Sequence, residues 1–194
     1  MSRGRFCSII DTEVRPINGT TEVNMNFLSL VSERYSVRSY SDRFPEKYKL
    51  EYILDAAMRA PTACNNHPEK IFIIESKESM DQLLSVRTVF GAPTAAVICY
   101  DPETEWKNRR DGMHGSGETD AAIVTTHMML AAWEMGIGSC WIGSFDPEAV
   151  KAALGIDTRL RVAAILSLGY PSEDSSPLPL HSDNPDKKDK VTYI

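Results

Sequence analysis

The chain has 194 residues, of which 42% are hydrophobic and 25% charged, and its formal net charge is −6 at pH 7. These proportions are typical of one globular domain with a full hydrophobic core. The acidic balance argues against a surface that tracks many phosphates along DNA or RNA, because such domains are usually basic as a whole. A local arginine cluster that holds a single phosphate is compatible with it.

Cysteine usage and hydropathy limit the class of protein further. The cysteines show no repeated spacing and no second ligand pair, which argues against both a disulfide framework and a zinc site; they are Cys7, Cys64, Cys99 and Cys140. Such thiols fit the reducing cytosol. No apolar stretch reaches the length of about 20 residues that a membrane span needs. The sequence therefore predicts a cytoplasmic protein without a membrane span.

The two ends of the chain differ from its middle. The first two dozen residues lack hydrophobic periodicity and the apolar core of a signal peptide. We therefore predict a dispensable N-terminal extension over residues 1–24 and a folded domain over residues 25–170. Residues 171–194 form a C-terminal arm rich in Pro, Ser, Asp and Lys. This arm has too little apolar surface to pack alone, so it is either disordered or laid across another surface, possibly that of a partner subunit.

Two helices are predicted before the first strand. Residues 26–35 carry a short apolar run and indicate the first helix. In the second, Pro45 suits a first helical position, and Pro61 ends the helix because proline restricts the residue before it. The apolar side chains between them recur at i, i+3, i+4, i+7 and i+8, which is typical of a helix with one buried face: Leu50, Ile53, Leu54, Ala57 and Met58.

The rest of the domain alternates apolar runs with helical segments at irregular spacing. Residues 119–136 are apolar nearly all round and end at Gly136, which predicts a buried central helix. A later helix begins with the capping residue Asp146 and ends at Gly155. The polar segment 101–118 is predicted to be a loop. The other elements are strands at 71–75, 94–100, 137–143 and 161–171 and a surface helix at 76–86. This order predicts an α+β fold, or a mixed α/β sandwich around one sheet.

The segment RYSVRSY places two arginines four residues apart, with a serine between them. Two guanidinium groups and a hydroxyl suit a phosphate monoester, which carries close to two negative charges and three acceptor oxygens. The competing interpretation is that Arg34 and Arg38 are solvated cations near a helix C-terminus, whose dipole favours them. Taken alone, the motif favours this second interpretation, because short motifs match often by chance.

Two further segments carry polar groups that suit a flat ligand. The loop APTACNNHP offers Asn65, Asn66 and His67, although its asparagine pair equally suits a turn stabilised by its own backbone. The segment GIGSCWIGSFDP lacks the third glycine of a dinucleotide fingerprint and runs from helix to strand, which excludes a Rossmann site. Its turn at Gly143 and Ser144 leaves backbone N–H groups available to a ligand.

No side-chain nucleophile or metal centre emerges from the sequence. There is no nucleophile elbow, no zinc-protease motif and no P-loop, and the histidines show no partner spacing. Any difficult chemistry would therefore come from a bound cofactor.

Taken together and in this order, RYSVRSY, APTACNNHP, DAAIVTTHMMLAAWEMGIGSCWIGSFDPE and LSLGYP resemble the nitroreductase family, the FMN-dependent NAD(P)H oxidoreductases. The likeness runs from about residue 25 to residue 170. It implies an α+β fold, a three-layer α-β-α sandwich with a mixed central sheet. It also implies a homodimer with FMN in pockets built from both subunits, the C-terminal arm extending onto the partner.

The resemblance assigns cofactor-binding roles by position. RYSVRSY matches the segment that binds the FMN phosphate and ribityl chain, APTACNNHP matches the loop against the isoalloxazine across the dimer interface, and WIGS matches the turn whose backbone amide faces flavin N5. His67 stands where the family commonly has glutamine, and only Lys187 and Lys188 are candidates for the basic residue of the arm. The implied cofactor-binding residues are Arg34, Tyr35, Ser36, Arg38, Pro61, Thr62, Ala63, Asn65, His67, Trp141, Ile142, Gly143 and Ser144.

The implied activity is ping-pong electron transfer from NAD(P)H, through FMN, to nitroaromatics, quinones or similar small electrophiles. Hydride passes to flavin N5, backbone donors stabilise the ring, and no side chain acts as catalyst. The partners are then a second subunit and a small-molecule electron acceptor, with neither nucleic acid nor membrane. Three alternatives remain open: dehalogenation or flavin breakdown on the same scaffold, a non-catalytic flavin-binding or redox-sensing protein, and a cofactor-free interaction domain.

Overall fold

The computed structural model describes residues 26–194, so the predicted extension over residues 1–24 and its boundary lie outside the described residues. The described residues form five α-helices and six strands. In chain order these are α1 (Phe27–Glu33), α2 (Lys47–Met58), β1 (Glu69–Ile74), α3 (Lys77–Leu84), β2 (Thr94–Tyr100), β3 (Lys107–Asn108), β4 (His114–Gly115), α4 (Gly117–Glu134), β5 (Gly138–Ile142), α5 (Pro147–Leu154) and β6 (Arg161–Gly169). Short 3₁₀ turns lie at Ala63–Asn65, Pro179–Ser182 and Lys187–Asp189.

Four strands form the central sheet in the order β1-β2-β6-β5, so β1 and β5 are its edges. All three pairings between these strands are antiparallel. A parallel bridge between Ser36 and Ser139 adds a short segment of chain outside β5. The predicted α+β class is confirmed, and this bridge supplies the parallel component of the sheet.

The side chains of the sheet alternate between two helical layers, because successive residues of a strand point to opposite faces. Ala96 and Ile98 of β2 pack in the core under α2 and α4, whereas Ala95 and Val97 pack in the core under α3 and α5. All four side chains are fully buried. The three-layer α-β-α sandwich is therefore confirmed, and its strands read as continuous apolar runs because both faces are covered.

The central helix behaves as its composition predicts. Residues on most sides of α4 are buried, among them Val124 and Met128 with no exposed surface. Gly136, just beyond the helix, has φ of +71°, a conformation that favours glycine at a helix end. In α5 the carboxylate of Asp146 accepts the N–H of Glu148 at 2.9 Å, as expected of an N-cap. Within residues 26–194, no helix is both long and apolar enough to cross a bilayer.

The first helix and the loop at 101–118 differ from their predictions. Helix α1 ends at Glu33 rather than at residue 35, because Arg34 already has the extended backbone that brings the following residues alongside β5. The predicted loop 101–118 contains a small hairpin, in which Lys107 pairs with Gly115 and Asn108 with His114. A two-residue strand is too short to show any periodicity in sequence.

The start of the C-terminal arm packs against residues 39–40 of the same chain. Pro171 forms a bridge with Tyr40, and the N–H of Ser172 donates to the carbonyl oxygen of Ser39 at 3.1 Å. The last residues, Tyr193 and Ile194, are exposed and have no such cover in the described chain. The composition of the arm therefore predicted its exposed end but not its packed beginning.

Candidate functional site

The two arginines of RYSVRSY lie on an extended segment, residues 34–40, which we call the clamp segment. The N–H of Val37 donates to the carbonyl oxygen of Ser139 at 2.9 Å, which fixes this segment against β5. Val37 is fully buried and lies so close to Gly138 that a Cβ there would be 2.7 Å from its Cγ2 atom. Glycine at the start of β5 thus allows the close approach that sets the position of the arginines.

Alternate side chains of the clamp segment point to opposite faces, as in any extended strand. Tyr35 packs edge-to-face on Trp133 of α4, with ring centroids 5.2 Å apart, and its hydroxyl donates to Ser175 of the arm at 3.1 Å. By alternation, the two arginines and Ser36 share the other face. Tyr35 therefore holds the clamp segment between α4 and the arm, whereas the side chains of Arg34 and Ser36 lie on the opposite face.

The guanidinium groups of the clamp segment carry uncompensated charge. Among residues 26–194, no carboxylate forms an ion pair with either of them. Arg38 donates only to the carbonyl oxygen of Ser36, at 3.3 Å, and its Cζ atom lies 5.9 Å from the centroid of the Phe90 ring. Two unpaired cations on one face form a site for an anion.

A third arginine, Arg87, lies in the loop that follows α3. Its Nε atom is buried and has no hydrogen-bond partner in the described chain, an arrangement that normally costs about 1–3 kcal/mol. Burial raises the pKa of the nearby Cys140 thiol, and the Ser36 hydroxyl together with the charges of Arg38, Arg34 and Arg87 opposes that rise. The Phe90 ring that Arg38 approaches lies three residues after Arg87, so Arg87 belongs to the loop beside Arg38.

This unpartnered Nε atom of Arg87 bears on whether an anionic cofactor fits. A buried polar group without a partner in the protein is a group whose partner is expected from elsewhere. A phosphorylated ligand would supply that acceptor and offset much of the positive charge of the arginines. The residues present therefore fit the phosphate end of FMN. Arg87 was missed in the sequence because SVRTVFGAP has no recognisable motif around it.

The C-terminal arm lines one side of a cavity beside Arg34. A cavity of about 490 Å³ is lined by Val31, Ser32 and Arg34 from the start of the domain and by His181, Ser182 and Asn184 from the arm. Lys188, one of the two basic candidates of the arm, instead pairs with Asp186 at 3.1 Å. The polar residues that the arm places opposite Arg34 are thus neutral or weakly basic.

The turn after β5 leaves backbone donors available to a ligand. Trp141 is half-buried, Ile142 is buried in the core, and Gly143 and Ser144 are exposed. No acceptor within residues 26–194 takes the N–H of Gly143 or of Ser144. A Cβ at position 143 would have no atom within 4 Å, so the space above this turn is open. Within residues 26–194, these two N–H groups therefore have no acceptor, as a ligand-binding turn requires.

The loop 61–67, which we call the cofactor loop, has an unusual backbone. Cys64, Asn65 and His67 have φ values of 52°, 57° and 48°, in the left-handed region that non-glycine residues rarely adopt. Such residues cost about 1 kcal/mol or more each and persist where surrounding contacts hold them. Here the hydroxyl of Thr62 accepts the N–H of His67 at 3.1 Å. Pro61 and Asn65 remain exposed at the surface of the loop.

Side chains outside the loop hold it in place. The buried Asp120 of α4 accepts the N–H of Ala63 at 2.9 Å and the hydroxyl of Ser116 at 2.7 Å. The imidazole of His67 lies between Glu69 Oε1 at 3.0 Å and Asn65 Oδ1 at 3.1 Å. Neither carboxylate was expected from the sequence, because Asp120 is 57 residues from Ala63 along the chain and the contact of Glu69 with His67 depends on the backbone of the loop.

The clamp segment and the cofactor loop lie at diagonally opposite corners of the sheet. The clamp segment adjoins β5, at the end of the sheet where Gly138 pairs with Gly169. The cofactor loop leads into β1, at the other end, where Glu69 pairs with Tyr100. These edges are separated by three strand spacings, about 14 Å. Within one chain, the cofactor loop therefore lies apart from the clamp segment.

Comparison with known proteins identifies the chain. The nitroreductase family model matches residues 31–87 and 81–170. A nitroreductase family protein from Clostridium difficile is similar in structure, with 36% identity and a TM-score of 0.81, covering 87% of this chain and 98% of that one. An FMN-dependent nitroreductase from Clostridium difficile has 28% identity and a TM-score of 0.70, covering 86% and 98%. An Archaeoglobus fulgidus protein with the provisional name NADH dehydrogenase/NAD(P)H nitroreductase is 33% identical over 156 residues, which are 76% of this chain and 86% of the relative.

The fold, the family model and these relatives together define a flavoprotein-type oxidoreductase. The chain belongs to the nitroreductase family. Its implied class, a nitroreductase-like enzyme, is therefore confirmed.

Proposed function

We propose that this protein is an FMN-dependent oxidoreductase that passes electrons from NAD(P)H to nitroaromatics, quinones or similar small electrophiles by a ping-pong mechanism. The observation that carries the proposal is that Arg34, Arg38 and Arg87 have no carboxylate partner in residues 26–194, and that the buried Nε atom of Arg87 has no acceptor there. The FMN-dependent relative supports the choice of cofactor.

The residues of this chain would divide the work of holding FMN. The arginines, with the hydroxyl of Ser36, would hold the phosphate end through charge-assisted hydrogen bonds. The free N–H groups of Gly143 and Ser144 would donate to the ring system. FMN itself would supply hydride acceptance and donation, so no side chain needs to act as acid or base.

We further propose that each site is completed by a second copy of the chain. A flavin held at the clamp segment would not meet the cofactor loop of the same subunit, which lies at the opposite corner of the sheet. A two-fold dimer would place the loop of one subunit over the clamp of the other, and would do so twice. The exposed end of the C-terminal arm would cover part of the same interface.

The test of the activity is a spectrum taken before and after addition of reductant. Protein loaded with FMN is expected to lose its visible flavin absorbance when NADH or NADPH is added without oxygen, and to regain it when a quinone is added. A flavin that binds but is not bleached would indicate the non-catalytic alternative. A colourless protein that takes up no FMN would overturn the proposal.

If Arg87 binds the cofactor, replacing it should weaken FMN binding and leave the stability of the FMN-free protein nearly unchanged. Replacing Arg87 by alanine should raise the Kd for FMN about 10-fold, the effect of one charge-assisted hydrogen bond. The free energy of unfolding of the FMN-free protein should change by less than about 1 kcal/mol, because the Nε atom has no partner to lose. Flavin fluorescence titration and urea unfolding measure the two quantities.

The matched control is Arg87→Lys, which keeps the charge and loses the planar group. It is expected to recover part of the affinity for FMN. If alanine lowers stability strongly and leaves FMN binding unchanged, Arg87 is a structural residue and not part of the site.

A further inference from the structure

A second cavity lies where the cofactor loop meets the excursion between β2 and α4. It has a volume of about 530 Å³, within the range of about 300–1,000 Å³ usual for small-molecule sites. Asn66 lines it from the cofactor loop, and Trp106, Lys107, Arg109 and Arg110 line it from the excursion. The two sides are joined, because the side-chain amide of Asn66 donates to the carbonyl oxygen of Thr104 at 3.1 Å.

The carboxylates of this cavity are already engaged. Glu105 accepts the N–H of Gly117 at 2.8 Å and lies 3.7 Å from Lys107 Nζ. Glu103 pairs with Arg159 at 3.4 Å, outside the hairpin. Asp111 accepts the amide of Asn108 at 2.7 Å and lies 3.8 Å from His114 Nδ1. Each negative group near the cavity therefore has a donor of its own.

The two hairpin arginines have no such partner. Within the part of the chain that the structure describes, no carboxylate pairs with Arg109 or with Arg110. The hairpin nevertheless holds a defined shape. Asn108 Oδ1 accepts the N–H of Arg110 at 3.0 Å, and the carbonyl oxygen of Asn108 accepts the N–H of Met113 at 2.9 Å. The cavity thus presents positive charge on an ordered support, beside the partly exposed indole of Trp106.

We propose that this cavity binds the oxyanion of one of the two small substrates, a phosphate of NAD(P)H or the carboxylate of an aromatic acceptor. Arg109 and Arg110 would hold the anion and Trp106 would offer a flat surface to the attached ring. The inference rests on the proposed function, because that function brings both substrates to the cofactor loop. It adds the chemical class that the enzyme prefers: flat substrates with negative charge.

The test compares the double variant Arg109→Ala/Arg110→Ala with a variant of the same net charge, Lys47→Ala/Lys77→Ala. Lys47 and Lys77 are exposed cations on α2 and α3, outside the cavity. Binding of ADP-ribose and of 4-nitrobenzoate to the full-length protein is measured by isothermal titration calorimetry. The Kd of at least one probe should rise about 10- to 100-fold in the arginine variant and by less than about 2-fold in the lysine variant.

The probe whose binding weakens shows which substrate supplies the anion. Weaker binding of ADP-ribose alone assigns the cavity to NAD(P)H, and weaker binding of 4-nitrobenzoate alone assigns it to the acceptor. In turnover, the kcat/KM for 4-nitrobenzoate should then fall relative to that for the neutral 4-nitrobenzamide in the second case only. Equal affinity of wild type and arginine variant for both probes, or binding of neither probe to wild type, overturns the inference. Because calorimetry needs no flavin turnover, a failure to bleach with NAD(P)H would overturn the proposed function separately.

Discussion

Replacing Arg34 and Arg38 together by alanine is expected to weaken FMN binding by about 100-fold or more, while riboflavin binding changes by less than about 3-fold. Each arginine would contribute a charge-assisted hydrogen bond to the phosphate, worth about 1.5–3 kcal/mol, and two such bonds correspond to at least two decades in Kd. Riboflavin shares the ring and the ribityl chain but lacks the phosphate. Fluorescence titration of both ligands against the same protein measures the difference directly.

Two controls separate this electrostatic effect from damage to the fold. The double lysine variant Arg34→Lys/Arg38→Lys keeps the charge and should lose less affinity, because lysine replaces a planar fork by a point charge. The Lys47→Ala/Lys77→Ala variant removes the same net charge at a distance and should bind FMN as wild type does. An equal loss of affinity for riboflavin and FMN would rule against a phosphate clamp at these positions.

Two inactive variants are expected to restore activity when they share a dimer. The first is Arg34→Ala/Arg38→Ala, which disables the clamp segment. The second is Ala63→Trp, which fills the space beside the cofactor loop and keeps the backbone hydrogen bond from Ala63 to Asp120. If each site takes its clamp from one subunit and its loop from the other, a mixed dimer has one site with neither lesion.

Co-expression of the two variants should therefore give about a quarter of wild-type activity, since about half of the dimers are mixed and each has one intact site. Either variant alone should show almost none. The matched control combines Arg34→Ala/Arg38→Ala with a subunit that carries these substitutions and Ala63→Trp together; this mixture should stay inactive. Absence of recovery in the first mixture, with mixed dimers detected by mass, would show that clamp and loop do not act across subunits.

Hydrophobic periodicity, together with the residues that begin and end helices, predicted the main elements of the fold. The apolar stripe from Leu50 to Met58 gave α2 because it buries one helical face, and the all-round apolarity of α4 gave its central place. The α-β-α layering came from the resemblance, since alternating helices and strands of irregular spacing fit more than one sandwich. The hairpin at residues 107–115 was missed because its pairing depends on tertiary contacts, such as that between Glu105 and Gly117.

The candidate site was predicted only in part, because a sequence shows contiguous motifs but not residues that are brought together by folding. RYSVRSY is a contiguous motif, so its two arginines could be recognised in sequence. Arg87 and Asp120 act at positions brought together only by folding, one after α3 and the other in the first turn of α4. For the arm, the resemblance pointed to Lys187 and Lys188, whereas residues around His181 line the cavity beside Arg34.

The diagonal placement of clamp segment and cofactor loop has a thermodynamic consequence. If each flavin pocket is split between two chains, cofactor uptake and subunit association become linked equilibria, and each strengthens the other by mass action. Dilution of the protein would then release bound flavin, and added coenzyme would stabilise the dimer. Cofactor content would report on quaternary assembly as much as on the affinity of either polypeptide.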